Sequence, residues 1–275
     1  MGDLASDTAV EGRDGRYRAY LSRDWEIWGP NGGYVAAIAL RAAGAATPLR
    51  RPATFACHYL SVAEFDAVDL QVTTLRASKR AASLRVSMTQ KDRPILEAIV
   101  WVIDEIGGLE HDVAQMPDVP LPAALKSIEE LITPEDGKNP YRFWDNLEAR
   151  PINWVPWSQR QPRPPVWREW YRFRPRAVFD DPFADAARSV ILIDTMVWPA
   201  ACQPYVHDTP YVAPSIDATV RFHRPAPGSD WLLCDAAAPV AADGLIGGQA
   251  SVWSVDGRLV ASGGAQLLCR PRPGT

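Results

Sequence analysis

Several residues in this sequence have types and spacings that suit chemistry. Asp217 stands between Ile216 and Val220 in Ser215-Ile-Asp-Ala-Thr-Val-Arg-Phe, a run that reads as a central strand, where an unpaired carboxylate is expensive to bury. Such an acid is either hydrogen-bonded in a structural role or used as a general base on water. Gly32-Gly33-Tyr34, behind Asn31, opens an apolar, helix-like run. Glycines there let a ligand approach the backbone, and the N–H groups of a helix N-terminus bind an oxygen or a phosphate. The same residues equally suit a tight turn into a closely packed helix, with Asn31 as N-cap. Cys57 and His58 are neighbours, but adjacent strand residues face opposite ways, so they form no nucleophile–base dyad. His58 and His223 read as structural histidines. Asp194 interrupts a second apolar helix and faces either the interface between two halves or a pocket. The four cysteines (Cys57, Cys202, Cys234, Cys269) and four histidines (His58, His111, His207, His223) contain no CxxC pair and no ligand spacing, so free, mostly buried thiols and no structural metal are expected.

The elements that must position these residues repeat. Asp66 and Asp92 are separated by 26 positions, as are Asp230 and Asp256, and Tyr59 to Val62 overlies Phe222 to Pro225, at an offset of 163 or 164 throughout. In the first copy, residues 69–75, 82–89 and 95–103 have the alternation or β-branched runs of strands. In the second, residues 231–234, 249–255 and 258–262 repeat the order, and Asp92-Arg93 and Asp256-Gly257 are hairpin turns. One apolar helix precedes each set, over residues 33–43 and 183–201, and each should be wrapped by its sheet because it is apolar nearly all round. Between the copies, a Pro-punctuated connector carries Trp144, Trp154, Trp157, Trp167 and Trp170. So many aromatics are expected to pack on the body. Residues 146–153 and 166–174 read as strands opening the second copy. The expected organisation is a first domain over 1–106, a linker over 107–140 and a second domain over 141–275.

The chain has 275 residues, and 29 Lys+Arg less 33 Asp+Glu leaves a net charge of −4. A nucleic-acid binder usually shows a basic face, so nucleic acid is not an expected partner. Hydrophobic residues at 47% and charged residues at 23% belong to a chain that buries a core. Apolar runs are broken by Arg41 and Asp194 before the ~18 residues a membrane helix needs. The N-terminal stretch lacks the apolar segment of a secretory signal. A cytoplasmic protein without a membrane span is expected.

Trp28-Gly-Pro-Asn-Gly-Gly-Tyr-Val-Ala-Ala, Ser215-Ile-Asp-Ala-Thr-Val-Arg-Phe-His-Arg-Pro, Asp230-Trp-Leu-Leu and Asp256-Gly-Arg-Leu-Val-Ala-Ser together resemble the double-hotdog acyl-CoA thioesterases of the bacterial thioesterase II type. The resemblance covers most of the chain and is weakest over residues 107–175. It implies an α+β fold of two tandem hotdog domains, each a curled antiparallel sheet around one buried helix. It also implies hydrolysis of acyl-CoA, or another acyl thioester, to free acid and thiol, with no metal or organic cofactor. The family's catalytic group is an Asp, a Thr or Ser, and a Gln that hold and activate a water. Its Asp matches Asp217. The hydroxyl position falls near Pro239 in Ala236-Ala-Ala-Pro-Val-Ala-Ala, which has no hydroxyl, and the Gln position falls on Ala265, beside Gln266. A one-place slip would turn Gln266 to the other face of its strand unless Gly263-Gly264 hosts a bulge. The expected site is therefore Asp217 and Gln266 as catalytic residues, with Gly32, Gly33 and Tyr34 binding substrate. Two rivals share the fold: a non-hydrolytic acyl-thioester or lipid binder, and a hydratase or dehydratase, in which His58 or His223 would stand beside the Asp. One chain already supplies two hotdogs, and a homo-oligomer is left open.

Overall fold

The two apolar runs form helices, and both are buried as their composition requires. The structure is a computed structural model that describes residues 1–136, 139–205 and 209–272. In chain order its helices are α1 (Leu4–Asp7), α2 (Gly32–Ala45), α3 (Ile128–Leu131), α4 (Pro182–Thr195) and α5 (Val197–Cys202). The strands of the first half are β1 (Glu11–Arg13), β2 (Arg16–Tyr20), β3 (Arg51–Tyr59), β4 (Ala67–Ala77), β5 (Ala81–Gln90) and β6 (Arg93–Ile103). Those of the second are β7 (Leu147–Pro151), β8 (Val166–Phe173), β9 (Tyr211–Val212), β10 (Ser215–Phe222), β11 (Leu232–Ala242), β12 (Leu245–Ser254), β13 (Leu259–Leu268) and β14 (Arg270–Pro271). Residues 183–201 do not form one helix: α4 ends at Thr195 and α5 starts at Val197. Pro199 has no N–H to give the Thr195 carbonyl, and its ring would clash there, so the first helix stops.

Twelve strands form one antiparallel sheet in the order β1-β2-β4-β5-β6-β3-β10-β13-β12-β11-β8-β7. Read from its middle outward, the order is the same on both sides, so each half is a hotdog whose sheet holds one long helix. The halves join where β3 pairs with β10, with His58 opposite Asp217 and Thr54 opposite Arg221. Helices α2 and α4 pack on each other inside this sheet, and the shared core includes Ile38, Leu40, Ile191 and Leu192, all fully buried. Local chemistry supports the hairpins: Lys91 and Asp92 have φ 51° and 62°, and Asp243 and Gly244 have φ 52° and 78°, the left-handed pairs that match strand twist.

The repeat is uneven in one place. From α2 to α4 the offset is 150 (182 − 32), whereas from β3 to β10 it is 164 (215 − 51). The second half therefore spends about fourteen extra residues on α5 and the stretch before β10. The connector is also specific to one side. Met116, Val119 and Leu125 cover Trp170, Trp231, Leu233 and Trp253 on the outer face of the second half. The Trp170 indole donates to the Pro120 carbonyl at 2.9 Å.

Candidate functional site

The extra residues after α4 and the connector enclose one large cleft of about 1580 Å³. One end is the meeting point of two helix termini, the start of α2 and the end of α4. Asn31 caps α2 by accepting the Tyr34 N–H at 2.9 Å, and its amide donates to Thr195 Oγ1 at 3.0 Å. This crossing delivers Asp194, from the last turn of α4, to the N-terminus of α2, where a negative charge is favoured. Gly32, Tyr59, Asp194 and Ser215 all line the cleft there.

Asp194 is 4% exposed, and its Oδ1 accepts the Tyr59 hydroxyl at 3.2 Å. Ser215 and the Gly33 N–H also donate to it. Burial pushes its carboxyl up to about 6, aided by the charge of Asp217 and opposed by these hydrogen bonds. A carboxylate that is buried, reachable from a cleft and titrating near neutrality can take a proton from water and return it. Burial pushes the Tyr59 phenol well above its usual range, with the Asp194 charge acting in the same direction, so it acts as a hydrogen-bond donor. The Cys57 thiol nearby is likewise pushed up by burial and stays protonated.

The residues singled out in the sequence fall into different places. Gly32 lines the cleft, and a Cβ on it would lie 2.9 Å from Asp194 Oδ2. Gly33 instead permits the helix crossing: a Cβ there would meet the Ile191 Cα at 2.7 Å. Tyr34 is not on the cleft wall. It is fully buried, stacked on Trp25 at 5.1 Å, and its hydroxyl accepts the Ser22 N–H and donates to the Asp7 carbonyl. The helix terminus also has less to offer a ligand than its sequence implies, because the Gly33, Tyr34 and Val35 N–H groups go to Asp194, Asn31 Oδ1 and Asn31 O.

Asp217 does not line the cleft. Ala218 and Val220 are buried, while Thr219 and Arg221 are exposed, so alternation sets Asp217 with the outward residues of β10. Its Oδ1 accepts the Gln266 N–H at 2.8 Å beside the bulge that follows Ser215. Gln266 is Asp217's cross-strand partner, and Ala265 is buried opposite Ala218. Pro239 sits where β11 shifts register against β12 and is exposed. His58 is exposed and His223 bonds Ser262 Oγ at 2.8 Å; His207 lies outside the described residues. Among the described residues, no group of His, Cys, Asp and Glu is placed to hold a metal ion, and no helix is long and apolar enough to cross a membrane.

Pseudo-symmetry creates a second such corner, at the start of α4 and the end of α2, and it is filled. Asp181 caps α4 and pairs with Arg41 at 2.8 Å. The Phe183 ring lies where a Cβ on Gly44 would be, within 2.5 Å. The repeat therefore yields one open corner, the one carrying Asp194. The sequence signal for it was an acid closing the apolar run Val190-Ile-Leu-Ile-Asp.

Comparisons with known proteins follow the same lines. Residues 21–103 match the family model of the acyl-CoA thioesterase N-terminal domain, and residues 120–268 match that of the C-terminal domain. A hot dog fold protein of unknown function from Alicyclobacillus acidocaldarius superposes with a TM-score of 0.82 at 21% identity, covering 99% of each chain. The acyl-CoA thioesterase II TesB2 of Mycobacterium marinum gives 0.79 at 19% identity, covering 99% of this chain and 100% of that one. A putative thioesterase from Novosphingobium aromaticivorans gives 0.76 at 24% identity, covering 94% and 97%.

Proposed function

The chain belongs to the acyl-CoA thioesterase family, and on that premise we propose that it hydrolyses acyl-CoA thioesters with Asp194 as the base. The observation that carries this reading is that Asp194 is the buried carboxylate at the cleft's helix corner. Asp194 takes a proton from a water in the cleft, and the resulting hydroxide adds to the thioester carbon. The carbon–sulfur bond then breaks, and the proton held on Asp194 goes to the departing thiolate, leaving a free acid and CoA. Tyr59 and the Gly33 N–H orient the carboxylate. The wall formed by Trp144, Trp154, Trp167 and Trp198 suits an acyl group, and Arg163, Arg270 and Arg272 on the cleft complement the phosphates of CoA. Four free cysteines suit a reducing, cytoplasmic setting.

The family motif favours a second reading, with Asp217 as base and Gln266 assisting. Free-thiol release over a series of acyl-CoAs decides between them. Asp194→Asn is expected to lower kcat by about 10²- to 10⁴-fold, the usual cost of losing a general base, while Asp217→Asn keeps most of the activity. The reverse result would return the chemistry to Asp217. Wild-type protein that binds acyl-CoA without turnover would favour the non-hydrolytic binder.

A further inference from the structure

The cleft wall holds a second buried carboxylate, Glu169 on β8, to which the proposed hydrolysis assigns no part. Trp167, Glu169 and Tyr171 alternate along β8 and form one row facing inward, with Glu169 only 4% exposed. Trp167 and Glu169 both line the cleft. The Tyr171 hydroxyl donates to Glu169 Oε2, and the Trp167 indole donates to that hydroxyl at 2.8 Å. Behind the row stand Met196 Sδ, 3.1 Å from the Tyr171 oxygen, and the buried Cys234 on β11. Burial pushes Glu169 up to about 7, against the hydrogen bonds and the charge of Arg160. The neighbouring Arg168 and Arg172 of β8 pair instead with Asp235 and Glu148. A carboxylate accepts more than the one hydrogen bond that Tyr171 donates, so Glu169 keeps acceptor capacity for a donor in the cleft.

We infer that Glu169 reads the acyl group: the cleft takes acyl thioesters whose chain carries a hydroxyl, and that hydroxyl donates to the Glu169 carboxylate. This rests on the acyl-thioester reading and adds the substrate class to it. A site built to receive a donor binds a chain that carries one better than a chain that lacks it.

The test is binding rather than turnover. Calorimetry with non-hydrolysable CoA thioethers compares unsubstituted alkyl chains of six to about twelve carbons with chains carrying one hydroxyl at successive carbons. Wild-type protein is expected to bind at least one hydroxylated isomer about tenfold or more tighter than the plain chain. Glu169→Leu removes that preference, and Glu169→Gln, which keeps an acceptor oxygen, retains part of it. If the Leu variant does not fold, Glu169→Met serves in its place. Equal binding of plain and hydroxylated chains by the wild type, or a preference that survives Glu169→Leu, overturns the inference and leaves the thioesterase reading standing. A protein that binds none of the thioethers overturns both.

Discussion

At the scale of single residues, Asp194 links chemistry to stability, and the two effects have opposite signs. Its folded carboxyl sits at about 6, above the unfolded value of 3.8, so between those values the folded protein binds more protons than the unfolded chain. Stability on this account is highest below about pH 4 and falls as pH rises to about 6. The proposed role as base needs the ionised form, so activity through Asp194 rises over the upper part of that window. Hydrolysis is therefore expected to fall about tenfold per unit below pH 6, measured as kcat/KM against pH, and Asp194→Asn should flatten that limb. The same variant should be more stable than wild type at pH 7.5, by on the order of 1 to 3 kcal/mol, as read by denaturant unfolding. A variant that is less stable there would mean that the hydrogen bonds from Tyr59, Ser215 and Gly33 outweigh the burial cost.

At the scale of elements, the crossing of α2 and α4 sets the site, and its two glycines have separable parts. Gly33→Val forces a side chain onto the Ile191 backbone, where a Cβ has only 2.7 Å. Overpacking of that kind costs roughly 1 to 3 kcal/mol, so a lowered melting temperature is expected before any change in mechanism. Gly32→Ala places its methyl 2.9 Å from Asp194 Oδ2, and the carboxylate must give way. There kcat should fall while stability changes little, a split that steady-state kinetics and a thermal melt resolve together. The opposite corner, where Asp181, Arg41 and Phe183 close the start of α4 against the end of α2, explains why a duplicated element need not duplicate a site.

At the scale of the whole molecule, the halves depend on each other. The β3–β10 pairing leaves no free central edge, and α2 and α4 bury one another. Residues 1–106 made alone would expose both the β3 edge and the helix face, and unpaired edges recruit other chains. The fragment is expected to self-associate or remain unfolded, and to be rescued when co-expressed with residues 107–275, as size-exclusion chromatography would show. A monomeric, cooperatively folding fragment would contradict this.

The sequence by itself determined the duplication, most of the long strands and the two buried helical runs, though not the break after Thr195 or strands β1 to β3, because period-2 alternation and all-round apolarity are local properties that survive without tertiary context. It also showed the family, through ordered motifs such as Gly32-Gly33-Tyr34 and Ile216-Asp217. Which acid faces the cleft was decided only in three dimensions. The motif around Asp217 is local and legible, whereas the bond between its carboxylate and the Gln266 N–H follows from strand direction and a bulge. Tyr34 looked like a ligand contact beside two glycines, yet one residue of helical turn sends it into the core against Trp25. Asp194 gave a weak signal, an acid closing an apolar run, and Glu169, among Arg168 and Arg172 in β8, gave none. Their place follows from contacts between Asp194 and Tyr59, separated by 135 positions, and from the connector and α5 that close the cleft over β8. Such long-range packing has no signature in a local window.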